Sequence, residues 1–214
     1  MSTVRWVARP GETEFDAPSR IQGSLDLPLT DRGQQQVTEL AETLRSETID
    51  VIYASPTEPA ASTATQLGES LGIPVKVIDG LANLHLGLWQ GLLADDIRRK
   101  QPRVFKQWED HPETICAPEG EECEEALERV TEALRKPLKR DEAFLIVAPE
   151  PIATLVVSVL RGEPARLAGP ITSHGASGFV EQIGEVPVAA PSVSAEIRPL
   201  VDFSADDFQI APAG

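Results

Sequence analysis

Apolar and polar positions follow two different periods along this chain, and the switches between them mark its elements. Val4-Arg5-Trp6-Val7-Ala8 is a short, almost wholly apolar run that predicts a strand central in a sheet. It stops at Arg9-Pro10-Gly11 and opens into a polar loop over residues 9–30. Thr30 is suited to cap a helix, and Val37, Leu40, Ala41 and Leu44 then recur at helical spacing, to about residue 46. Val51-Ile52-Tyr53-Ala54 predicts a second strand. Ser55-Pro56 predicts a helix start, with Ser as cap and Pro at the first helical position, running to Leu71 before Gly72 ends it. Residues 74–78 predict a third strand. Residues 92–101 and 103–109 predict short helices broken at Pro102, and residues 121–138 a longer one with a stripe of Ala126, Val130, Ala133 and Leu134. A buried strand at 143–148, a helix at 151–160 and late strands at 179–183 and 195–201, joined by a Pro-rich loop, complete the reading. Such alternation predicts an α/β fold: a three-layer α/β/α sandwich whose mostly parallel central sheet carries helices on both faces.

Composition narrows the classes of function. A chain of 214 residues with 41% apolar content suits one core, so we expect a single domain over residues 1–201 and an acidic tail over 202–214 that frays. No apolar run approaches the roughly 18 residues of a membrane span. The N-terminus lacks a secretory pattern, so a cytoplasmic location is expected. Cys116 and Cys123 have no metal-binding spacing and are expected to be unpaired. The formal net charge of −15 disfavours nucleic acid and anionic membrane as partners. It also repels small phosphorylated substrates, unless a local basic pocket overcomes the field. Neither a cofactor nor a metal is expected.

Ordered motifs carry a more specific signal. Arg9-Pro10-Gly11-Glu12-Thr13, with Arg20-Ile21-Gln22-Gly23 and Asp26 to Gly33 behind it, resembles the opening of the histidine phosphatase (phosphoglycerate mutase-like) superfamily. Tyr53-Ala54-Ser55-Pro56, Gly87-Leu88-Trp89-Gln90-Gly91, Pro118-Glu119-Gly120-Glu121 with Arg129, and Phe144 to Glu150 resemble its later motifs, so the likeness covers nearly the whole chain. The resemblance implies a nucleophilic histidine at Pro10, a phosphate-clamping arginine at Pro59, a proton-donating carboxylate at Asn83 and a second histidine at Pro149. Proline offers no side-chain donor or acceptor. Loss of the nucleophile in a covalent hydrolase costs on the order of 10⁶ in turnover, or roughly 8 kcal/mol of barrier. Of the phosphate-facing set the resemblance leaves Arg9, with Arg20 near it, as a vestigial anion site.

These residues lead to the expectation of a pseudophosphatase without catalytic residues, acting through an unidentified and preferably basic protein partner, as monomer or homodimer. Two alternatives stay open: a divergent phosphohydrolase with a non-family residue set, or a sensor of small anions. Arg9 is expected to pair internally with Glu12, Asp16 or Glu150 rather than to hold a ligand. The three prolines fit drift at tolerant loop sites, or recruitment of a stiffened pocket mouth. Residues 109–132 hold ten acids against one base, Arg129, which reads as a solvated face or a docking surface. His85, His111 and His174 are expected to be structurally ordinary.

Overall fold

The computed structural model describes residues 4–170 and 180–183. The predicted strand at 195–201, the tail and His174 lie outside those residues. Among the described residues, five strands form one sheet in the order β3-β2-β4-β1-β5. Strands β1 (Arg5–Ala8), β2 (Val51–Ala54), β3 (Val75–Val77) and β4 (Phe144–Val147) run parallel. Strand β5 (Val180–Ile183) closes one edge antiparallel to β1.

The alternation of side chains explains the three layers. Val7, Val51, Tyr53, Phe144 and Ile146 enter one core cluster, with α5 (Cys123–Lys139) and α6 (Ile152–Arg161). Ala8, Ile52, Ala54, Leu145 and Val147 enter the other, with α1 (Asp31–Leu44) and α2 (Ala60–Leu71). The central strand β4 is buried at all four positions, as a parallel strand covered on both faces must be. Helices α3 (Ala94–Lys100) and α4 (Pro102–Asp110) add Ile97, Phe105 and Trp108 to the first cluster. None of the described helices is long and apolar enough to cross a membrane.

Thr30 caps α1, its hydroxyl accepting from Gly33 N at 3.0 Å. Helix α2 begins later than the Ser55-Pro56 signal predicts, at Ala60 with Pro59 as its cap residue. Glu58 precedes a proline, which disfavours helical backbone there. Ser55 Oγ turns to Thr57 instead, at 2.9 Å from its hydroxyl.

One consequence of the topology places the site. The connection after β1 leads to α1 on one face, and that after β4 leads to α6 on the other. Adjacent parallel strands whose connections diverge in this way open a crevice beyond their carboxyl ends. Arg9-Pro10 and Pro149-Glu150 leave the sheet at that crevice.

Candidate active site

The loop after β1 is fixed before it meets the crevice. Gly11 N donates to the buried hydroxyl of Thr63 in α2 at 3.2 Å, and Glu12 N donates to Gln36 Oε1 at 2.8 Å. Further on, Asp16 Oδ2 accepts from Thr13 N at 2.6 Å and from Thr13 Oγ1 at 2.9 Å, tying residues 13–16 into a turn beside the crevice. Arg20 lies across the Phe15 ring, 5.7 Å from its centre, and donates from Nη1 to Gly91 O at 2.5 Å.

Helices α2 and α6 start with the same device. Glu58 and Glu150 each precede a proline, and each carboxylate accepts from the residue four positions on. Ser62 N and Oγ donate to Glu58 at 3.1 and 2.8 Å; Thr154 N and Oγ1 donate to Glu150 Oε2 at 3.2 and 2.8 Å. Negative charge at a helix N-terminus is favoured by the backbone dipoles. Glu150 also forms an ion pair with Arg9, the two side chains 16% and 17% exposed. Of the three acids that the sequence offers to Arg9, the structure selects Glu150.

A cavity of about 120 Å³ opens where these segments meet. Arg9, Arg20, Asp16 and Glu150 supply its charge, and Pro10, Pro59 and Pro149 all line it. The structure thus brings together the expected phosphate-site positions Arg9, Pro10, Arg20, Pro59 and Pro149, and leaves Asn83 out. That residue is buried beside the cavity wall, its amide donating to Gly23 O at 2.7 Å and accepting from Leu84 N at 2.9 Å. Arg129 sits behind it, donating to Gly80 O and Ala82 O at 2.9 and 2.8 Å and pairing with Glu121.

Sequence reasoning missed the opposite wall. Trp89, Trp108, Ile115 and Leu167 line the cavity, with the two indoles 4.8 Å apart. Trp89 is wholly buried, and its N–H has no hydrogen-bond partner among the described residues. An unmet buried donor of this kind costs about 1–3 kcal/mol. The available signal was the apolar face of α4, where Phe105 and Trp108 lie three residues apart on one side. A wider hollow of about 910 Å³ adjoins, sharing Arg9 and Glu150 and walled by Glu109, Asp110 and Glu113. Elsewhere in the acidic segment, Glu122 and Glu125 form the capping box of α5. Both cysteines are free thiols, and burial pushes Cys123 up to about 11, with Glu113, Glu124 and Glu121 adding to the effect.

The profile of the histidine phosphatase superfamily (branch 1) matches residues 6–177. The chain belongs to that superfamily. Among curated relatives, phosphoserine phosphatase 1 of Hydrogenobacter thermophilus is 32% identical over 134 residues, covering 63% of this chain and 64% of its own length. Glucosyl-3-phosphoglycerate phosphatase of Mycolicibacterium vanbaalenii is 28% identical over 214 residues, covering 95% and 94%. A solved mycobacterial glucosyl-3-phosphoglycerate phosphatase, in complex with VO3, superposes with a TM-score of 0.74 at 25% identity, covering 84% of this chain and 90% of its own.

These superfamily members are named as phosphatases, and they overturn the expectation of a non-enzymatic scaffold. That expectation rested on the loss of the covalent route, and the findings favour the alternative of a phosphohydrolase with another residue set. In-line displacement depends mainly on positioning and charge, and the cavity holds two guanidinium groups and two carboxylates.

Proposed function

We propose that this chain is a phosphomonoester hydrolase that transfers the phosphoryl group directly to water. The observation that carries the reading is the gathering of Arg9, Arg20, Asp16 and Glu150 around one cavity at the carboxyl ends of β1 and β4. The likeness to named phosphatases supports it. Pro10 and Pro149, where the resemblance expects histidines, argue for a single displacement without a phosphoenzyme, because neither side chain can form a bond to phosphorus.

Arg9 and Arg20 hold the phosphoryl oxygens, a task for which the planar guanidinium is suited. Glu150 orients Arg9 while capping α6. Asp16 Oδ2 is held by Thr13, which presents the carboxylate as general base to the attacking water. A P–O bond to water forms, the ester P–O bond breaks, and the water proton passes to Asp16. The departing oxygen takes its proton from solvent, since the Asn83 amide holds Gly23 and Leu84 and has no acid to give.

The test is phosphate release by purified protein from a phosphomonoester panel, alongside Asp16→Asn and Arg20→Ala. General-base assistance contributes about 10²–10⁴-fold, so Asp16→Asn lowers kcat by about 100-fold or more with KM little changed. Arg20→Ala raises KM. No release above the blank, or release that neither substitution alters, overturns the reading.

A further inference from the structure

We infer that the preferred substrate is an aryl phosphate whose single aromatic ring enters the cavity, rather than a sugar or polyol phosphate. This rests on the phosphohydrolase reading and extends it. The first observation is size. At about 120 Å³ the cavity is close to the roughly 150 Å³ apolar cavity known to accept one benzene ring. A sugar joined to a phosphoglycerate, as in the relatives' names, exceeds it and would have to extend into the wider hollow alongside, whose Glu109, Asp110 and Glu113 oppose a glycerate carboxylate.

The second observation is chemistry. Beyond the charged mouth, the wall is made by Trp89, Trp108, Ile115, Leu167 and Leu84, all buried. Hydroxyl groups pressed against that wall would lose their water without replacement, a penalty that an aromatic face does not meet. Trp108 packs on the wholly buried Trp89, the two rings tilted 42°, so this part of the wall is an aromatic surface rather than a hydrogen-bonding one.

Leaving-group chemistry agrees. With no acid to protonate the departing oxygen, an ester of a phenol is favoured, because a phenolic oxygen of pKa about 10 leaves as the anion far more readily than an alkoxide. The P–O bond breaks to release an aryl oxide, and water supplies the new P–O bond.

The experiment compares binding of phenylphosphonate, methylphosphonate and 2-hydroxyethylphosphonate by titration calorimetry. None of the three carries a cleavable P–O–C ester, so binding is read apart from turnover. Phenylphosphonate is expected to bind at least about tenfold tighter than the other two, and Trp108→Leu to remove most of that preference while leaving methylphosphonate affinity unchanged. Equal affinities, or tighter binding of the hydroxylated compound, overturn the inference. If Trp108→Leu does not fold, the wild-type comparison decides alone. Phenylphosphonate selectivity without release from phenyl phosphate sustains the ring-binding part of this inference and sinks the catalytic reading. Equal kcat/KM for phenyl and glycerol phosphates does the reverse.

Discussion

Arg9 shows how much one side chain's surroundings decide. In sequence it is an arginine before a proline; in the fold its guanidinium meets Glu150 from the turn between β4 and α6, far along the chain. Partly buried charge pairs are strongly destabilising to break from one side, because the remaining charge stays desolvated. Arg20, exposed and resting on Phe15, gives up one exposed backbone hydrogen bond to Gly91 O in moving toward a ligand, rather than a partly buried ion pair. Cys123 gives a residue-level prediction. Burial favours its neutral thiol, so its contribution to stability is whole below the ordinary thiol pKa and is lost as pH rises through about 11. At pH 8 roughly one molecule in a thousand carries the thiolate, the reactive form. Iodoacetamide labelling of the native protein should therefore be slow at pH 8 and speed up about tenfold per pH unit toward that value. Mass spectrometry after timed quenching reads it, and labelling at pH 8 as fast as in urea contradicts it.

At the scale of elements, the loop after β1 is held against the start of α1 by two glycines. A Cβ on Gly33 would lie 2.2 Å from Glu12 O, and one on Gly11 would lie 2.4 Å from Gly33 O. In an ordinary helix, Gly→Ala gains up to about 1 kcal/mol. Here the backbone contact reverses the sign. Gly33→Ala should cost about 1–3 kcal/mol, in the range of other overpacked sites, and lower Tm by several degrees. Because the displaced segment leads back to Arg9, phosphonate affinity should fall with it. A Tm equal to or above wild type would show that the loop yields freely. The same close packing explains why the strands and most helices were legible in sequence while the start of α2 was not. Periodicity reports which face is buried, whereas the length of the turn before α2 follows from Glu58 meeting Asp26 and Gln22.

For the whole molecule, charge and fold pull in opposite directions. A net charge of −15 repels a dianionic phosphate at long range, and at the cavity Arg9 and Arg20 are balanced by Asp16 and Glu150, so in the proposed site attraction acts only through close contact with the guanidinium groups. The screening length is about 30 Å at 0.01 M salt and about 8 Å at 0.15 M. Raising salt over that interval removes the distant repulsion before it weakens the local attraction. The second-order rate of phosphonate capture, measured by stopped-flow tryptophan fluorescence, should therefore rise about two- to fivefold. A steady fall with salt would mean that the local arginines dominate even at low ionic strength.

The sequence by itself determined the architecture, since continuous apolar runs in short strands and helical stripes between them admit few arrangements other than a covered, mostly parallel sheet. Its motifs also pointed to the superfamily. Which residues share a site was decided by tertiary structure. Pairing of β1 with β4 brings Arg9 beside Glu150, and the packing of α4 turns Trp108 toward Trp89 to make an apolar wall. Motif reading asks whether expected residues stand at expected positions, so it registered the prolines as losses. It could not register Asp16, Glu150 and the tryptophans as a cavity lining, because their convergence depends on strand order and on loops pinned by hydrogen bonds between residues far apart in the chain.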